Sequence, residues 1–193
     1  MRMAVAALTI MALSTVVPNV AIGQEPPVQL EALPQASRDV LDAWLQRDCD
    51  VGTKEEELTR LRALSSVAQG VFLEAYEQGP PPELERRYEA AFSAAFDARN
   101  VALAREGTRL FGAEDVAGLQ NVDREAYMRR RLEAARINYR TNAVLGLGVV
   151  GAHGALPLLN QIAADPANPM REAARTSIAA LGKGQKSPPD KSP

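Results

Sequence analysis

Apolar residues recur along this chain at spacings of three and four, the period of helices that bury one face. Val40, Leu41, Trp44 and Leu45 share a face and predict a first helix over residues 34–46. The polar stretch Asp48, Cys49, Asp50, Val51, Gly52 interrupts it, and Thr53 with Glu56 then has the spacing of a capping box. Leu58, Leu61, Leu64, Ala68, Val71, Phe72 and Ala75 predict one long second helix, stopped by Gly79 and Pro80, Pro81 and Pro82. Leu84, Tyr88, Phe92 and Phe96 fall every fourth residue, Arg99 and Leu103 continue the stripe, and Gly107 is expected to close this third helix. Residues 108–122, broken by Gly112 and Gly118, read as a loop with one helical turn. From Asp123 the period returns, with Met128, Leu132, Ala135, Tyr139 and Ala143 as a seam.

The two ends depart from that pattern. Residues 4–17 form an uncharged apolar run behind Arg2, Pro18 and Asn19 break it, and small residues stand at Ala21 and Gly23. This is the order of a secretory signal peptide cut before Gln24. Fourteen uncharged residues fall short of the roughly 20 that a membrane-crossing helix needs, so no transmembrane segment is expected in the mature chain, which is placed in the periplasm or outside the cell. Residues 24–33 are Pro-rich and read as a flexible lead-in. Residues 183–193, rich in Lys, Ser and Pro, read as a disordered tail. Between them, residues 34–182 make one helical domain.

Composition supports an all-α fold. Hydrophobic residues make up 46% of the chain but aromatics only 5%, a balance of small helix formers that suits packed helices better than a β-sandwich. One cysteine, Cys49, cannot form an internal disulfide, so the fold must rest on its core. Charge is unevenly spread: residues 24–123 carry 10 basic and 19 acidic side chains, net −9, whereas residues 124–193 carry 11 and 5, net +6. An acidic front and a basic rear can pair within one molecule or between two copies.

The rear half also contains a repeat. Residues 140–151 read RTNAVLGLGVVG and residues 171–182 read REAARTSIAALG. Arg140 matches Arg171, Ala143 matches Ala174 and Gly151 matches Gly182, with Leu147/Ile178 and Val150/Leu181 conservative. Between them Leu156, Leu159 and Ile162 supply an apolar helix, followed by Asn168 as cap and Pro169 at a first helical position. With Gly146, Gly148, Pro157 and Leu158, this segment resembles the HEAT-like repeats of the phycobilisome-lyase type over residues 140–183. His153 and Gly154 stand where that pattern often has an acidic residue. The resemblance implies a HEAT-like α-solenoid segment at the C-terminal end and a protein-binding scaffold. Because such repeats need about three units to bury a shared core, the earlier helices must complete it, giving six to eight helices in all.

Chemistry-bearing constellations are sparse. His153 and Cys49 are the sole histidine and cysteine, and Asp48 and Asp50 oppose a reactive thiolate at Cys49. No nucleophile, zinc or phosphate-loop motif occurs, and the Asp48-x-Asp50 start of a calcium loop fails at Thr53 and Thr59. Glu55, Glu56 and Glu57 suit the positive end of a helix dipole. No catalytic residue, metal or cofactor is therefore assigned. The candidate surface is an arginine run, Arg124, Arg129, Arg130, Arg131, Arg136 and Arg140. Arg129, Arg136 and Arg140 share a helix face, Arg130 flanks it, and Glu125 is spaced to pair with Arg129. Arg129, Arg130, Arg136 and Arg140 would hold an anionic partner: an acidic protein, a lipid head group or a cell-wall polymer, with a second copy of the chain as a further option. The plainer expectation is a solvated face, or a seam paired with the acidic front. Nucleic acid does not fit an exported chain of net negative charge. The expected function is thus a non-catalytic binding or scaffold protein; the alternative is a cell-envelope enzyme or accessory with a groove carboxylate such as Glu89 or Asp97.

Overall fold

The computed structural model describes residues 30, 33–48, 54–111, 116, 118–119 and 121–184. The segment read as a signal peptide, most of the lead-in, Cys49, Thr53 and residues 185–193 lie outside the described residues. Those described form seven α-helices and no strand: α1 Gln35–Leu45, α2 Glu55–Arg62, α3 Ser65–Gln78, α4 Pro82–Phe111, α5 Arg124–Val149, α6 Leu156–Ala164 and α7 Arg171–Gly184. No helix among them is long and apolar enough to cross a membrane.

Two expectations about boundaries need correction. The long second helix is two, because Ala63 and Leu64 break the run between α2 and α3. The third helix does not close at Gly107 but runs on to Phe111. Gly107 is a packing site instead: a Cβ there would lie 2.9 Å from Val116, so glycine lets the next stretch of chain approach. The last helix begins at Arg171, so Pro169 lies in the preceding turn and not at a first helical position, although Asn168 Oδ1 does accept from the Met170 amide. Two other local signals are seen. Asp123 caps α5 by accepting hydrogen bonds from the amides of Glu125 and Ala126, and Gly79, at φ +80°, ends α3 before the three prolines.

The C-terminal half of α5 is the centre of the molecule and packs chiefly against α3 and α7. Tyr139, Asn142, Ala143, Val144, Gly146, Leu147 and Gly148 are all buried there. Two glycines set how closely its neighbours lie. A Cβ on Gly146 would stand 2.5 Å from the ring of Phe72 on α3, and one on Gly148 would stand 2.6 Å from the backbone of Ser177 on α7. Glycine inside a helix costs about 1 kcal/mol relative to alanine; here it admits a fully buried aromatic on one side and a helix backbone on the other. Ser177 Oγ donates to the Val144 carbonyl at 2.8 Å, which satisfies the only hydroxyl at that crossing.

α1 is tied to α5 through its free end. The last carbonyls of a helix lack intrahelical donors, and Asn142 Nδ2 supplies them to Leu45 O and Arg47 O at 3.1 and 2.8 Å. Asn138 Nδ2 reaches Arg47 O at 2.9 Å, and Trp44 Nε1 donates in return to Asn142 O at 2.7 Å. Leu41, Leu45, Leu61, Phe72, Leu147, Leu159 and Ile162 complete one continuous core drawn from α1, α2, α3, α5 and α6.

The N-terminal half of α5 runs antiparallel to α4 outside that core. Here Arg136 meets Glu85, Arg131 lies over the Phe92 ring, Tyr127 packs on Phe96 and Arg124 reaches Ser93 and Asp97. Phe96, Leu103 and Val116 are buried, but none belongs to the main core cluster. The two helices thus form an arm with a small apolar centre of its own.

Candidate functional site

The four arginines named from the sequence lie in two environments. Arg136 donates to both carboxylate oxygens of Glu85, Nε at 2.6 Å and Nη2 at 3.2 Å. The hydrogen bond from Arg136 holds the Glu85 carboxyl below its usual range, and the pair raises Arg136 in turn. Arg140 is half-buried with its guanidinium against Gly79: a Cβ on that glycine would be 3.2 Å from Nη2. Its Nε is buried without an acceptor. Arg129 and Arg130 are exposed, and neither forms an ion pair; Glu125 does not engage Arg129. Arg130 only turns its Nε back to the Ala126 carbonyl at 3.3 Å. Arg129 and Arg136 share a helix face, but only Arg136 has a carboxylate of α4 within reach, and Arg129 faces solvent.

The expected seam between acidic front and basic rear is present at two points, Arg136 with Glu85 and Arg124 with Asp97 at 3.6 Å. Neither alternative groove carboxylate sits in a groove. Glu89 is exposed, and Asp97 is exposed and paired with Arg124.

A cleft that sequence patterning missed lies beside the α3–α4 turn. It measures about 600 Å³ and is lined by one face of α3 (Val71, Glu74, Ala75, Gln78), by Gly79 to Pro82, by Glu85, Tyr139 and Leu30. Fixed φ angles at consecutive prolines prevent the turn from collapsing onto α5. Burial pushes the Tyr139 phenol above its ordinary range, with Asp42, Tyr88 and Glu74 adding to the effect, so it stays protonated. Burial and nearby Asp39 also raise Asp42, behind Tyr139. The sequence signal for this cleft was Glu74 and Gln78, four apart beside the buried positions Val71 and Ala75 and just ahead of a Gly-Pro-Pro-Pro turn. A second cleft, about 800 Å³ between α1 and α2, is lined by Val40, Trp44 and Leu61 and by charges of both signs, Asp39, Asp48, Glu57, Arg47 and Arg60. Among the described residues no group of His, Cys, Asp or Glu could hold a metal ion.

Compared with known proteins, the chain matches no family model, no curated protein and no solved structure.

Proposed function

We propose that this is an exported, non-catalytic binding protein, acting in the periplasm or outside the cell, that captures an acidic protein partner on the α4–α5 arm. One observation carries this: Arg129 and Arg130 stand exposed and without counter-ions on a helix that projects past the core. A guanidinium left unpaired in solvent costs the fold nothing and offers a carboxylate two parallel hydrogen bonds. The contact surface does not extend to Arg136, which is committed to Glu85. Residues 140–182 fit a HEAT-like unit in two respects: the paired alanines Ala143 and Ala174 are both fully buried, and Gly148 brings α5 and α7 together. They differ in a third, since Gly151 ends its stretch at φ +73° whereas Gly182 lies within α7.

The test is crosslinking and affinity capture from the periplasm with wild type, Arg129→Glu/Arg130→Glu and Arg136→Glu. Capture of a distinct acidic protein, lost in the double variant while the thermal transition is unchanged, is the expected result. Undiminished capture by the double variant would remove the arginine surface from the account. A product containing only this chain would make the partner a second copy.

A further inference from the structure

Two polar groups that line the cleft beside the α3–α4 turn have no partner within the protein. Tyr139 is only 4% exposed, lines the cleft, and its hydroxyl makes no hydrogen bond within the protein. Glu74 lines the same cleft and forms no ion pair. The Tyr139 hydroxyl opens onto the cleft, so whatever occupies the cleft supplies its match.

The lining has a definite sign. Its charged side chains are the carboxylates of Glu74 and Glu85, and no cation lines it. Glu85 is already neutralised by Arg136 from outside the cleft, so Glu74 is the acid that lacks a counter-charge. The remaining walls, Leu30, Val71, Ala75 and the three prolines, are apolar and held open by a stiff turn. A volume of about 600 Å³ lies in the range of small-molecule sites, which combine mostly apolar walls with a few placed polar groups.

We infer that this cleft binds an organic cation, an amine with an apolar body, whose ammonium pairs with Glu74 and hydrogen-bonds the Tyr139 hydroxyl while the body lies against Val71 and the prolines. A metal ion does not suit the site, because one free carboxylate and one phenol are too few hard ligands. An anion would meet the uncompensated carboxylate of Glu74. The same chemistry can arrive as a free amine or as a lysine side chain on a peptide.

Calorimetric titration of the purified protein with phenethylammonium chloride tests this, with 2-phenylethanol as the neutral counterpart and Nα-acetyl-lysine amide as the peptide mimic. The expected result is one saturable site for the amine and binding of the alcohol at least about tenfold weaker. Glu74→Gln should weaken the amine by about tenfold or more and Tyr139→Phe by several-fold, with the exposed Glu83→Gln control unchanged. Competition by the lysine mimic would assign the site to a peptide side chain; its failure, with the amine bound, would assign it to a free amine. No saturation below about 10 mM, equal binding of the alcohol, or full affinity in Glu74→Gln would overturn the proposal and leave the cleft to water.

Discussion

The two halves of α5 are one continuous helix with opposite fates. From residue 139 to 148 seven residues are buried, whereas from 124 to 138 none is. Helical propensity does not explain the contrast, since the buried half carries Gly146 and Gly148 and the exposed half is rich in alanine, arginine and glutamate. What differs is the company each half keeps. The C-terminal half packs against α1, α3 and α7, while the side-chain contacts of residues 124–136 are with α4. The stability of the domain is therefore concentrated in one end of a helix, and the other end is free to vary its surface.

Substitutions of matched chemistry in the two halves should separate them, beginning with the closest contact. Gly146→Leu would drive a side chain into the Phe72 ring and is expected to cost about 4 kcal/mol in urea unfolding. Arg130→Leu on the exposed half should change stability by less than about 0.5 kcal/mol. Equal losses would mean that the arm is as tightly determined as the core. Next, Leu147→Ala removes a fully buried side chain at a cost of about 3 kcal/mol, against about 1 kcal/mol for the half-exposed Leu132→Ala.

Removing the tie between α1 and α5 is a smaller change. Asn142→Ala leaves two helix-end carbonyls without this donor and should cost about 2 kcal/mol, with faster amide exchange in α1 than in α7. Uniform acceleration throughout the domain would show that the cap does not act locally.

The smallest effects are electrostatic and have opposite signs. Glu85 is held below its ordinary pKa, so its stabilisation is present at neutral pH and disappears as the pH falls through that lowered value. Glu85→Gln should therefore lose well under about 1 kcal/mol at neutral pH, because solvent screens a half-exposed pair, and its acid unfolding curve should merge with wild type. Asp42 is held above its ordinary pKa, so its ionisation costs stability above that raised value and nothing in acid. Asp42→Asn should raise the unfolding midpoint at neutral pH, and the gain should vanish in acid. A gain that persists there would assign it to packing.

Much of this contrast was legible in residue order. The first helix was read within a residue at each end, because Pro34 and the polar residues after Gln46 bound a clear apolar face. The division between α2 and α3 was not legible, since Ala63 and Leu64 are good helix formers and carry no local stop signal. The sequence places Arg129, Arg136 and Arg140 on one helix face, and the structure gives the three different surroundings. Periodicity places Arg129 above Arg136 but says nothing about which residue of α4 lies opposite each, and α4 offers Glu85 to Arg136 and Asp97 to Arg124. The cleft was invisible for a related reason: Tyr139 read as one more seam residue, and only the position of the proline turn leaves a space in front of its hydroxyl.

The amide of Asn142 closes α1 from almost a hundred residues further along the chain. α1 therefore cannot be completed when it first emerges from a ribosome or a translocation pore; its end stays open until most of α5 has followed. Contacts of such long sequence separation slow folding, because a large loop must close before they give any return. Acquisition of the native state is thus deferred until nearly the whole chain has been delivered.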